Sequence, residues 1–148
     1  MDKLFPNDEN ATFTRAQAEL FEEQTAVKVV SFIWFGEKCV KCPYYSPLDP
    51  RLHGHEVHIC LNCLKASSTK EEHEVHSKSC RTRGPPGDLI FQQKNLSIFR
   101  VDAGGVGLAP LYCERLALIS KLFLDHKLAE GILDNFEFFV LCEKDEQS

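Results

Sequence analysis

Hydrophobic and polar positions divide the chain into segments of different period. "AQAELFEEQ", after the capping-box spacing from Thr14 to Gln17, predicts a short helix whose acids sit early, where the helix dipole favours them. "VKVVSFIWF" follows, β-branched and aromatic and closed by Gly36, the pattern of a strand. Prolines from Pro43 to Pro50 mark a loop, and "RGPPGD" at 83–88 is a second break that neither a helix nor a central strand accepts.

Beyond that break the period is two again. "LIFQQ" and "LSIFRV" predict short strands joined as a hairpin at Lys94 and Asn95, followed by a glycine-rich turn, "DAGGVG". In "LYCERLALISKLFLDHK" the apolar residues Leu111, Cys113, Leu116, Leu118, Ile119, Leu122 and Phe123 lie close to helical spacing and predict the core helix. "FEFFVLC" predicts a last strand, its two adjacent phenylalanines pointing to burial on both faces. The elements together read as a mixed α+β chain.

At 148 residues and 43% hydrophobic content, the chain can build one ordinary domain, or a small core plus a metal-stapled module. The apolar run from Val29 to Phe35 is far short of a membrane span. The start, "MDKLFPNDEN", has acids and a proline where a signal peptide needs a basic start and an apolar run, so a soluble, non-secreted protein is expected. In a reducing compartment the seven cysteines are expected to ligate metal or pack as small apolar groups rather than pair as disulfides.

The net charge of −5 is unevenly spread, with −4 over residues 1–26, +4 over 27–129 and −5 over 130–148. Residues 60–83 hold five basic and three acidic side chains, too few cations for a dedicated phosphate-binding surface. Direct nucleic-acid binding is therefore expected to be weak or absent.

The chemistry concentrates in "CLNCLKASSTKEEHEVHSKSC", from Cys60 to Cys80. A CxxC turn at Cys60 and Cys63 aims two thiolates at one point, and a following helix can bring His76 and Cys80, one turn apart, to the remaining corners of a tetrahedron. Ser67, Ser68 and Thr69 before Glu71 and Glu72 supply the helix start. His73 is a rival ligand, but two turns from Cys80 is a long reach. A second CxxC, Cys39 and Cys42, is separated from Cys60 by seventeen residues, so the four cysteines also match a zinc ribbon that would leave His76 and Cys80 unexplained. Zinc suits either thiolate-rich set, and four protein ligands leave no open position for water, which makes such a zinc structural.

The order of these residues resembles the amino-terminal half of the MYST-type histone acetyltransferase domain. The resemblance is carried by Phe35-Gly36, Tyr45-Ser46-Pro47, Cys60, Cys63, Leu64-Lys65, His76, Cys80, Pro85-Pro86-Gly87, "NLSIFRVD", "LYCERLALISKLFLDHK" and "FEFFVLCEKD", and runs from about Val27 to Asp145. It implies a C2HC zinc finger joined to the first strands and helix of a GNAT-like acetyltransferase domain. It also implies Cys60, Cys63, His76 and Cys80 as the zinc ligands, which leaves Cys39 and Cys42 as incidental thiols, and Lys127 as a site of autoacetylation.

The implied organisation is an acidic, partly disordered start with a short helix over 1–26, strand and loop over 27–55, the C2HC finger over 56–84, and the hairpin, core helix and strand of an incomplete acetyltransferase domain over 85–148. Histone tails and chromatin-complex subunits are the implied partners, and the nucleus the implied location.

The family's catalytic cysteine, its general-base glutamate and its RxxGxG acetyl-CoA loop have no counterpart in these residues. "DAGGVGLAP" has glycines but no basic residue and no phosphate-ready helix start at the right place. Acetyl-CoA is expected only in a complete enzyme, and this chain is expected to be inactive alone. The alternative expectation is a non-catalytic zinc-finger adaptor of a chromatin acetyltransferase complex.

Overall fold

The computed structural model describes residues 30–125 and 133–145. The expected helix after Thr14, residues Val27 to Val29 and Lys127 lie outside them.

Two sheets flank one helix. The first has the order β2-β1-β3-β4, built from β1 (Phe32–Phe35), β2 (Lys38–Lys41), β3 (Val57–Ile59) and β4 (Ala66–Ser67). Gly36, at φ +61°, turns β1 back into β2, a backbone conformation that costs glycine nothing. The residue pattern does not mark β2, whose "KCVK" offers only one strong β-former. It forms because the turn returns it to pair with β1 along its whole length.

β1 also pairs with β3, in parallel, matching Ile33 to Val57 and Phe35 to Ile59. Side chains alternate across a strand, so this register gathers Ile33, Val57 and Ile59 on one face, where all are at most 1% exposed. It leaves the matched pair Trp34 and His58 on the other face. The sheet thus joins the first strands to the cysteine-rich segment through backbone hydrogen bonds.

The second sheet is antiparallel, in the order β5 (Asp88–Gln93), β6 (Leu96–Asp102), β7 (Glu137–Glu143). Its hairpin turns at Lys94 and Asn95 as the pattern predicts, with Lys94 at φ +53°. A register shift between Leu89 and Phe91 bends β5 near the "PPG" break.

The expected burial of β7 on both faces is corrected. Phe138, Val140 and Cys142 are half-buried, but Phe139 and Leu141 are 61% and 65% exposed. Phe139 faces Arg100 and Leu141 faces Ile98, which in turn faces Phe91, so this sheet carries an uncovered apolar face. Adjacent phenylalanines on a strand must point to opposite sides, and among the described residues only one side has a helix against it.

That helix is α2 (Ala109–Lys121), the spine between the sheets, α1 (Lys70–Ser79) being the finger's. At its start Ala109, Tyr112 and Cys113 pack with Val101 and Ala103 of the second sheet's core. At its end Ile119 and Leu122 pack with Val30, Ile33 and Val57 of the first. Leu64 touches both cores.

Of the expected stripe, Cys113, Ile119 and Leu122 are buried and Leu116, Leu118 and Phe123 pack half-buried against the cores, while Leu111 is exposed. Ala109, Tyr112 and Ala117, small and aromatic, complete the buried face. Small residues let two sheets approach one helix closely, which leucines at the same points would prevent.

The loop carrying Tyr44, Tyr45 and Ser46 is clamped to the same helix. Ser46 Oγ donates to the Leu118 carbonyl at 2.7 Å, and Tyr44 N–H donates to the Leu122 carbonyl at 3.1 Å. These bonds satisfy carbonyls that the end of a helix leaves without partners.

Candidate metal centre

β3 delivers Cys60 at the rim of the first sheet. From there the chain reverses within one knuckle, Cys60 N–H donating to the Lys65 carbonyl at 2.9 Å and Leu64 N–H to the Cys60 carbonyl at 2.8 Å. Leu64 takes the left-handed conformation, φ +62°, that the reversal requires. A non-glycine residue held there is strained, and burial of its side chain against both cores offsets that cost.

After β4, Thr69 caps α1 (Lys70–Ser79), its hydroxyl accepting from Glu72 N–H at 3.2 Å. The Glu72 carboxylate reaches back to accept from Ser68 N–H at 3.2 Å and Ser68 Oγ at 3.1 Å. Local sequence thus fixes where the helix starts. It does not fix the helix to the rest, because α1 contributes no buried residue. A ten-residue helix with no apolar face is marginal in water, so its anchoring must come from its carboxyl end.

There the four side chains meet. The ligand atoms of Cys60, Cys63, His76 and Cys80 all lie within 4.8 Å of one another. Cys60 Sγ is 3.9 Å from Cys80 Sγ, and Cys63 Sγ is 3.2 Å from His76 Nε2. A tetrahedral zinc with bonds of about 2.3 Å to sulfur sets sulfur atoms about 3.8 Å apart. The donor set is compatible with such an ion, and its three thiols are buried as a cluster of their own.

Charge around the cluster is tuned unequally. Burial pushes the Cys63 thiol up to about 11. Burial also acts to raise Cys80, but the hydrogen bond with the Thr82 backbone and those with Cys63 and Cys60 overcome it and pull Cys80 below the ordinary thiol range. Burial, followed by the nearby Lys65, lowers His76 and so favours its neutral imidazole, the form that presents a lone pair.

A cavity of about 220 Å³ lies between this cluster and α2, lined by His76, Pro86, Tyr112 and Arg115. Across it Arg115 Nη1 donates to the Cys63 carbonyl at 3.0 Å. Sequence reasoning missed this tie, and a lone arginine on a helix gave no signal for it.

The other readings of the cysteines and histidines separate in space. His73 points away from the cluster, its ring centroid 5.9 Å from that of His58. Cys42 is buried in the first core with Val30, Ile33 and Leu48, and Cys39 is exposed on β2, so the four-cysteine ribbon is not assembled. Among the described residues, Cys60, Cys63, His76 and Cys80 form the one group of this kind.

The "DAGGVG" turn leads straight into α2, whose start is not built to cradle a phosphate. Pro110 in its first turn removes a backbone donor, and Leu108 at the cap offers no side-chain bond. Its tightness serves packing, with Gly104 N–H donating to Asp102 Oδ1 at 2.9 Å and no room for a side chain beside the Asp134 carbonyl.

Comparison with known proteins agrees with this arrangement. Residues 84–148 match the MOZ/SAS family. The chain is 34% identical to the histone acetyltransferase MOF of Drosophila melanogaster over 143 residues, which is 93% of this chain and 17% of that protein. It is 36% identical over 127 residues to the histone acetyltransferase of the MYST family 2 of Arabidopsis thaliana, covering 85% of this chain and 28% of that protein. With the human histone acetyltransferase KAT6B it shares 36% identity over 119 residues, 79% of this chain and 6% of that protein. The chain thus spans between about a twentieth and somewhat over a quarter of the length of these curated relatives.

Proposed function

The chain belongs to the MYST-type histone acetyltransferase family, and we propose that it forms the zinc-stapled, substrate-side section of a lysine acetyltransferase domain acting on histone tails in the nucleus. The observation that carries this reading is the convergence of Cys60, Cys63, His76 and Cys80 beside α2, where Arg115 locks the finger to the spine of the domain.

In this reading those four side chains hold one zinc ion in a closed shell. A bound zinc there supplies folding free energy and no open coordination position. It fixes α1, which has no apolar face of its own, against β3 and β4. The organisation follows: strand and loop over 27–55, finger over 56–84, and hairpin, core helix and last strand over 85–148.

Acetyl transfer requires a base for the lysine ammonium, a donor for the developing oxyanion and a site for acetyl-CoA. The 148 residues contain no RxxGxG stretch. We therefore assign the transfer chemistry to residues outside this sequence, and Lys127 to autoacetylation within the completed domain.

The test is direct. The purified zinc-loaded chain, mixed with acetyl-CoA and a histone-tail peptide, should give no acetylated product, and turnover would overturn the assignment of the chemistry elsewhere. Fusing the downstream residues of a complete family member should restore transfer; a fusion that folds, binds acetyl-CoA and still fails would overturn the substrate-side role.

A further inference from the structure

The face of the first sheet turned away from its core carries a feature that neither the zinc cluster nor acetyl transfer uses. Trp34 of β1 and His58 of β3 are register partners, and their rings stack with centroids 5.9 Å apart and planes 10° from parallel. His73 of α1 continues the row on the other side of His58, also at 5.9 Å, tilted by 30°. All three rings are half-buried and line one groove of about 970 Å³.

Carboxylates stand at its rim. Glu56 Oε2 accepts from Trp34 Nε1 at 2.9 Å, which orients the indole and leaves the other oxygen of Glu56 open. Glu37, exposed in the β1–β2 turn, also lines the groove and has no hydrogen-bond partner among the described residues. On the α1 side, Lys70 Nζ lies 3.9 Å from Glu74 Oε1, and Lys78 is the other lysine at the groove.

Stability alone gives little reason for this row. His73 Nδ1 is buried without a hydrogen-bond partner, a cost that an apolar residue at the same position would avoid.

We propose that this groove receives an arginine side chain from a partner polypeptide. A guanidinium is planar, so it stacks on the aromatic row, and its forked donors match the open carboxylate oxygens of Glu37 and Glu56. An ammonium offers neither the plane nor the fork. A nucleic-acid strand would find rings to stack on, but it would bring phosphates against those carboxylates. The groove's volume exceeds one side chain and admits the backbone on either side of the arginine. This recognition is separate from the metal cluster, since none of its four converging ligands lines the groove.

Trp34 is the sole tryptophan of the chain, so its fluorescence reports the groove directly. The zinc-loaded 148-residue chain is titrated with three blocked pentapeptides, glycine throughout except for a central arginine, lysine or glutamine, and with a thymidine oligonucleotide. The arginine peptide should change Trp34 emission saturably and bind about fivefold or more tightly than the lysine peptide. The glutamine peptide should give no saturable change. Joint Glu37→Gln and Glu56→Gln substitution should weaken the arginine peptide about tenfold or more while zinc content and far-UV dichroism stay as in the parent. Three outcomes overturn the proposal: no saturable response to the arginine peptide, equal binding of the glutamine peptide, or saturation by the oligonucleotide alone. The peptide series on the unaltered chain decides it even if the double variant fails to fold.

Discussion

Arg115 Nη1 donates to the carbonyl of Cys63 at 3.0 Å, so the central helix is bonded to the turn that carries two of the four converging ligands. The contact spans 52 positions of sequence. Removing it leaves a half-buried carbonyl without its charged donor, a loss of about 1.5–3 kcal/mol. Arg115→Met, which keeps the apolar stem, should lower thermal stability accordingly while zinc stays bound. Loss of zinc in this variant would mean that α2 shapes the ligand cluster rather than merely docking it.

The metal itself gives the sharper contrast. Cys80→Ser removes a thiolate from the four-ligand set and should release zinc and melt α1, which has no apolar face to hold it. His73→Ala, on the same helix but outside the cluster, should retain one zinc per chain. Metal analysis of the two purified variants, alongside helical dichroism, checks both statements.

Cys39 and Cys42 should differ in reactivity although they share a CxxC. Burial first, and the neighbouring Cys39 second, push the Cys42 thiol up to about 11, whereas Cys39 is exposed on β2. The thiolate is the reacting form. Iodoacetamide at about pH 8 should therefore label Cys39 well before Cys42 in the zinc-loaded protein, as read by peptide mass mapping. Equal labelling would place Cys42 outside the core.

Asp49 offers a pH test outside the finger. Its side-chain hydrogen bonds with Arg51, at 2.7–3.2 Å, and then its bond with the Arg51 backbone hold its carboxyl down at about 2. A carboxyl depressed in the folded chain stabilises it above the ordinary carboxylate range, and that contribution is lost as pH falls toward the folded value. Asp49 should accordingly titrate near 2 by carbon-detected NMR, and Arg51→Ala should return it toward 3.8.

Gly87 closes the "PPG" break where β5 starts. A Cβ there would overlap the Arg100 carbonyl oxygen, which is backbone and cannot swing aside. Gly87→Ala should force β5 away from β6 and cost about 1–3 kcal/mol. Chemical denaturation measures it, and a neutral result would show that the hairpin can slide to make room.

Several of these relationships were legible in the chain before any fold was known. Gly36, the hairpin at Lys94 and Asn95, and the Thr69 cap depend on a few neighbouring residues, so turn and cap chemistry identifies them. The CxxC at Cys60 and the His76 and Cys80 pair are likewise local, because ligand spacing follows from one turn and one helix. β2 escaped notice because "KCVK" has little strand preference of its own and depends on a partner formed earlier in the chain.

What the amino-acid order determined by itself is therefore the kind of each element, the ligand spacing and the family's motifs, all properties with a range of a few residues. Only the tertiary structure decided which side of β7 is covered, which stripe of α2 is buried, that Cys42 enters the core while Cys39 stays outside, and that Trp34, His58 and His73 form one row. Those outcomes depend on register between strands and on which surfaces meet. Both are set by apolar burial summed over residues far apart in the chain, which no local pattern records.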